Sequence, residues 1–518
     1  MTYSTFFGFT TFLTGVAFLL MAWTTSDYKY KFRLYISSLS PKSLSSITII
    51  LGFVVLVCDF FASMEWISPC KHNVCQLVLA VLFLFEITYW LFVCFFRPPI
   101  FGRRNHTRYT QEFDHVLYSG DEAKMHIIAE ELIRSMSQIV KHSAGKYFDW
   151  DKCSDITKDA LRIIGMMGDK LFCRIVVRKS IDTAMALFYN VEKERKYDIR
   201  LDFFAKNFIT ESLRWEQSFA YRETTLGESI LTHWQPVVNL IYGNHQLILN
   251  VRNLLDPDYS LTRNWNSRQV YAYVELMTSA FSTCYDHCSN AHYFSDVFEN
   301  LEHSICRVCW RREWNVTADE DDEKDVFWKA MLFYQNVIHG LLNSKEKPKI
   351  WHKYTDDFYR KDLLDCLADS LVKVFYYAGG VRGPEDIRHI IQYMHCYAPI
   401  FSFSECKNAG ALFMLKLRRA IVSEIKEESG LVGIYLLLFF LEIFGLSANK
   451  GYVHKDAAVL KRYIHSYART NLLRMYNKAK KLRTFSLPKR MSINEKKKEL
   501  YLEWESIDRK GLQIMKLN

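Results

Sequence analysis

Hydrophobic positions follow two different patterns along this chain. In the first hundred residues they are continuous, in three runs: Phe6–Trp23, Ile47–Trp66 and Val74–Phe96. A helix rises 1.5 Å per residue, so runs of this length can cross a hydrocarbon layer of about 30 Å. Trp23, Trp66 and Trp90 lie near the run ends, where amphipathic rings favour a membrane interface. No basic residue precedes the first run and no small-residue cleavage pattern follows it, so it reads as a retained span and not as a signal peptide.

Beyond residue 104 the apolar positions become periodic. Met125, Ile128, Leu132, Met136, Ile139 and Val140 recur at three- and four-residue steps after the start signal Ser119-Gly120-Asp121. Similar spacing predicts amphipathic helices in Lys158–Val177, Val270–Cys284, Val326–Leu342, Asp362–Tyr377 and Asp456–Tyr476. Strand-like alternation is scarce. The expected fold is mainly α: an N-terminal bundle of three transmembrane helices followed by a large, predominantly helical cytoplasmic domain. Turn clusters divide it into a transmembrane module (1–104), helical subdomains (105–256 and 257–449) and a basic helical C-terminal segment (450–518). Leu431–Ala448 is as apolar as the spans. Crossing there would export the basic segment behind it, so a buried or membrane-resting helix is expected.

Charge sets the orientation and then narrows the chemistry. Lys29, Lys31, Arg33 and Lys42 follow the first run, and Arg97, Arg103, Arg104 and Arg108 follow the third, whereas the short 67–73 loop carries Lys71 alone. Positive charge stays inside, which puts the N-terminus outside an inner or plasma membrane and the bulk of the chain in the cytoplasm. The chain as a whole carries +10, but from Lys450 onward 18 Lys and Arg face 6 Asp and Glu, so the basicity is local to the C-terminus. The 13 cysteines are scattered in apolar contexts, unlike a secreted disulfide framework. Cys70 and Cys75, beside the outer loop, are the two exceptions placed for oxidation.

Four groups of residues are candidates for function. Asp59 and Glu86 lie within apolar runs, where an ionised carboxylate costs several kcal/mol unless paired, hydrated or protonated. Cys284, Cys288, Cys306 and Cys309 have i, i+4 and i, i+3 spacings that can direct thiolates to one side, which makes zinc the candidate metal; plain core packing is the competing reading. Gly379, Gly380 and Arg382 precede Pro384 in a glycine-rich turn, a candidate anion site without a Walker or dinucleotide signature. The fourth group is Lys461, Arg462, Arg469, Arg474, Lys478, Lys480, Lys481 and Arg483, within an acid-free stretch interleaved with Tyr and Leu. Such a basic amphipathic helix suits anionic lipid, nucleic acid, or an acidic patch of the same assembly.

No nucleophile-elbow, zinc-protease or kinase motif is present. These features point to a membrane-anchored sensor or effector, whose cytoplasmic domain binds a partner or signal and controls a small oligomeric bundle, an ion leak or membrane-disrupting device. The architecture is similar to bacterial membrane effectors of stress or phage defence, an analogy of layout alone. The alternatives are a membrane-tethered enzyme acting on a phosphate-bearing substrate, and a non-catalytic scaffold. The expected partners are the lipid bilayer and either further copies of the chain or a partner protein.

Overall fold

The structure is a computed structural model that describes residues 27–37, 41–64, 66, 68–146, 148–225, 235–284, 294, 296–304, 320–343, 363–379, 407–427, 431–446, 455–482, 485, 487–488, 490–506 and 509–518. The chain is mainly helical. It divides into two compact units, residues 1–211 and 212–518.

In the first unit a short helix, α1 (Tyr28–Tyr35), precedes the hairpin of α2 (Pro41–Ser63) and α3 (Pro69–Leu91). A π-helical turn over Phe92–Phe96 closes α3. Six helices follow: α4 (His106–Ser119), α5 (Glu122–His142), α6 (Asp155–Met167), α7 (Lys170–Lys179), α8 (Ile181–Lys193) and α9 (Asp202–Arg214), whose last three residues lie past the unit's end at residue 211. Among the described residues, Lys71–Leu91 is long and apolar enough to cross a membrane; Ser46–Ala62 is apolar but shorter. The expected span Phe6–Trp23 lies outside the described residues.

The expected periodicity of α5 is its packing face. Met125, Ile128, Leu132, Met136, Ile139 and Val140 are all buried, each worth roughly 1.5–3 kcal/mol in removal from water. The helix starts where the Asp121 carboxylate accepts from the amides of Ala123 and Lys124, a cap worth about 1 kcal/mol. Gly120 ends the preceding helix in the left-handed region, at φ 67°, a backbone conformation that strains any residue with a side chain. Buried on this stripe, α5 packs against α1, α4, α6, α7 and α8. It is the central helix of the unit.

The second unit contains short helices between residues 219 and 262, then α10 (Ser267–Cys284), a helical segment over 296–304, α11 (Glu320–Asn343), α12 (Leu363–Gly379), α13 (Lys407–Glu427), α14 (Leu431–Phe444) and α15 (Lys455–Ala479). Phe281, Phe294, Phe298, Phe333 and Tyr334 form one aromatic cluster between α10, α11 and the 296–304 segment. The apolar run at Leu431 forms a core helix: Leu436, Leu437, Leu438 and Leu441 are fully buried, with α12, α13 and α15 packed around it. It stops at Gly445, again at φ 67°. The Gly445 carbonyl accepts from His465 Nε2 at 2.8 Å, and the next amide, Leu446, donates to Gln513 Oε1 at 2.6 Å.

One expectation needs correction here. The C-terminal segment is not helical to its end: Met491–Asn494 (β1), Glu499–Ser506 (β2) and Arg509–Lys516 (β3) form an antiparallel sheet in the order β1-β2-β3. Leu500, Leu502, Met515 and Leu517 are buried while Leu512 and Ile514 are exposed, the two-residue alternation of a half-buried sheet. Lys and Glu between these positions give the segment a helix-like composition, and the period of two decides against it.

Candidate functional site

Polar side chains lie on the inner face of the α2–α3 hairpin. The Thr48 hydroxyl donates to Glu86 Oε1 at 2.7 Å. Gln76 Nε2 donates to Asp59 Oδ1 at 2.6 Å, with His72 Nε2 at 3.6 Å from the same oxygen. The thiols of Cys58 and Cys75 meet at 3.2 Å. These rungs share one antiparallel register, because the residue numbers of each bonded pair sum to nearly the same value. Along α3 and the π-helical turn that closes it, the inner positions are His72, Gln76, Leu79, Phe83, Glu86, Trp90 and Val93, at alternating steps of four and three, the spacing that keeps one seam against a partner helix.

The outer face is the reverse of a soluble surface. Phe83 on the seam is 1 % exposed, whereas Phe85 beside it is 75 % exposed. Val74, Leu77, Val78, Val81, Leu82 and Leu84 of α3 lie open with it, as do Ile49, Ile50, Phe53, Leu56 and Phe60 of α2. A contiguous apolar face of this kind marks contact with lipid or protein. Among the described residues the seam is incompletely satisfied: Asp59 Oδ2, His72 Nδ1, Gln76 Oε1, Glu86 Oε2 and Trp90 Nε1 are buried without a hydrogen-bond partner there.

The hairpin connects to the helical body of its unit through α1. One side of α1 meets the end of α3: Leu34 packs with Trp90 and Val93, and the Tyr30 ring lies 4.6 Å from Phe95 in the π-helical turn. The other side meets α4 and α5. Phe32 packs edge-on against Tyr109, Tyr28 donates to Glu112 Oε1 at 2.6 Å, and Lys29 pairs with Glu130 at 3.3 Å. Burial, with the Glu112 carboxylate beside it, pushes the Tyr28 phenol well above its usual range. The strongest grip is Arg33. Its Nε and Nη2 donate to the two oxygens of Glu131 at 3.1 and 2.6 Å, and the side chains of both residues are about 95 % buried. The segments that leave α1 and α3 are tied as well: Asn105 Nδ2 donates to the carbonyls of Ile36 and Ile100, and Arg108 donates to the carbonyl of Ser37.

The sequence-predicted residues fare unevenly. Asp59 and Glu86 share the hairpin seam. Cys284 is buried at the last position of α10; Cys288, Cys306 and Cys309 lie outside the described residues, among which no group of three or more metal-ligating side chains gathers. Gly379 is the last residue of α12, and Gly380 and Arg382 lie outside the described residues. On α15, Arg462, Arg469, Arg474 and Lys478 are exposed, as are Lys480 and Lys481 just beyond it. Lys461 does not belong to that surface: it is 8 % exposed, on the packed face with Leu460, Ile464 and Ala468. Arg483 lies outside the described residues.

Sequence reasoning missed the junction. Lys29 and Arg33 counted there only as orientation charges, and Glu131 was one polar position of an amphipathic helix. The missed signal is that Glu131 falls beside the apolar stripe of α5, between Ile128 and Leu132, where a carboxylate requires a partner. Compared with known protein families, curated proteins and solved structures, the chain has no match.

Proposed function

We propose that this protein is a membrane-anchored effector, in which the helical cytoplasmic region biases a small transmembrane bundle through α1. The spans are Phe6–Trp23, α2 and α3, with the N-terminus outside and the C-terminus inside. The observation that carries this reading is the double grip on α1: Trp90, Val93 and Phe95 hold one side, and Glu112, Glu130 and Glu131 hold the other. A tether needs no such part. The apolar outer faces of α2 and α3 then face lipid or further copies of the chain, and the exposed basic side of α15 serves anionic lipid.

Glu86 separates an active bundle from an anchor. Glu86 lies level with Thr48, toward the end of the hairpin away from its loop, where a charged side chain costs less than the ~3 kcal/mol of mid-membrane on insertion scales. Its bond from Thr48 offsets little, since interhelical hydrogen bonds in bilayers average about 0.6 kcal/mol. Its second oxygen, Oε2, is buried on the seam without a hydrogen-bond partner among the described residues, which fits an ion path. The test is ion flux in liposomes holding the full-length protein. Wild type is expected to leak monovalent ions above empty vesicles; Glu86→Gln should keep insertion and oligomer size but change flux several-fold. Wild-type protein that inserts and assembles yet passes no ions would reduce the spans to an anchor.

A further inference from the structure

The rung formed by Cys58 and Cys75 has no place in the coupling scheme, yet it is the most chemically specific pair on the hairpin. The sulfurs lie 3.2 Å apart, on helices whose next rung, Asp59 with Gln76, already fixes the register. A bonded pair sits at about 2.05 Å, so only a short approach of two held thiols is required. Cys58 lies five residues before the end of α2, and Cys75 six after the start of α3. At 1.5 Å per residue, both are within about 10 Å of the loop end. Both are partly exposed.

We infer that Cys58 and Cys75 are a modification site: they oxidise to an intramolecular disulfide that locks the outer end of the hairpin. The inference rests on the proposed topology, which puts that end on the non-cytoplasmic side, where thiols meet disulfide oxidants. The reaction is thiol–disulfide exchange with a small-molecule or protein disulfide. One cysteine, as its thiolate, attacks a sulfur of the oxidant and displaces the first thiolate. The other cysteine then attacks the mixed disulfide and displaces the second. One S–S bond forms as one breaks, the oxidant takes up the two electrons, and the two cysteine protons end on the released thiols. Cys75 was already a candidate for oxidation beside Cys70; the geometry gives it Cys58 as its partner.

The test uses full-length protein in two states. Membranes from expressing cells are quenched with N-ethylmaleimide, digested without reductant and analysed by mass spectrometry. In parallel, purified reduced protein in detergent is treated with oxidised glutathione. Both should yield a linked peptide pair containing Cys58 and Cys75. The pair should be lost in Cys58→Ser, where Cys75 becomes alkylated, and kept in Cys70→Ser. Free thiols in both preparations, or a link through Cys70, would overturn the pairing and leave the topology untouched. Closure in the purified protein with free thiols in cells would overturn native oxidation and count against the N-out reading itself.

Discussion

Arg33→Ala is expected to destabilise the first unit by about 3–5 kcal/mol, the cost of stranding a buried carboxylate. The variant removes both donors to Glu131 and leaves that side chain at about 4 % exposure without the guanidinium. Single domains are stable by only about 5–15 kcal/mol, so the loss takes a large share. By contrast, the exposed Lys29–Glu130 pair is worth at most about 1 kcal/mol. The measurement is thermal or urea unfolding of the full-length protein in detergent, followed by the fluorescence of its tryptophans. Arg33→Met combined with Glu131→Leu should recover much of the loss, because an apolar pair needs no compensation. In liposomes, Arg33→Ala should also separate the flux of the bundle from the state of the helical body. A single variant within about 0.5 kcal/mol of wild type would show that α1 is not held as described.

A loss of similar size is expected in the second unit from Lys416→Met. Lys416 Nζ on α13 bonds Asp365 Oδ1 on α12 at 2.8 Å, and both side chains are fully buried. Removing the cation leaves the carboxylate inside a core shared with α14, at about 3–5 kcal/mol. Asp365→Asn should cost less than Lys416→Met, because the asparagine oxygen can still accept from Lys416 Nζ, whereas methionine offers the Asp365 carboxylate no donor. Hydrogen exchange is the direct measurement: amides of α12 and α13 should lose protection in Lys416→Met and regain it when Asp365→Leu is added. Unchanged protection in the single variant would mean that the pair does not fasten these helices.

These two pairs also show what the sequence could and could not convey. Apolar periodicity located α5, α10 and α15 because their burial is a property of each helix by itself. The continuous runs located the apolar stretches of α2 and α3; for α14 charge argued against a crossing but left burial and a membrane-resting helix both open, and the structure shows it buried. Pairings across 98 residues, as for Arg33 and Glu131, or 51, as for Lys416 and Asp365, carry no local mark of the partner, even where, as at Glu131, the position shows that one is needed. An amphipathic helix tolerates either residue on its polar face, and only the tertiary arrangement shows that the face is covered. The strand segment was hidden for a different reason. Its exposed positions carry the Lys and Glu that also suit helices, and only the alternation around Leu500 and Leu502 separates the two.

At the candidate site, Asp59 and Glu86 were legible as costly residues within apolar runs. Their companions Thr48, His72 and Gln76 were not, since uncharged or weakly basic side chains near a span end stand out little. The basic surface was legible in composition but not residue by residue. A stretch so rich in cations places them all round a helix, and Lys461, one position before exposed Arg462, falls on the packed side.

Coupling through α1 requires the hairpin to cross a membrane with its loop outside, so topology is the most direct test. Intact cells expressing the full chain would be treated with an impermeant maleimide. Cys70, in the first turn of α3 beside the hairpin loop, should label, and a cysteine placed at Asn518 should label only after the cells are permeabilised. Labelling of the Asn518 cysteine in intact cells, with Cys70 protected, would contradict the orientation and the coupling scheme built on it.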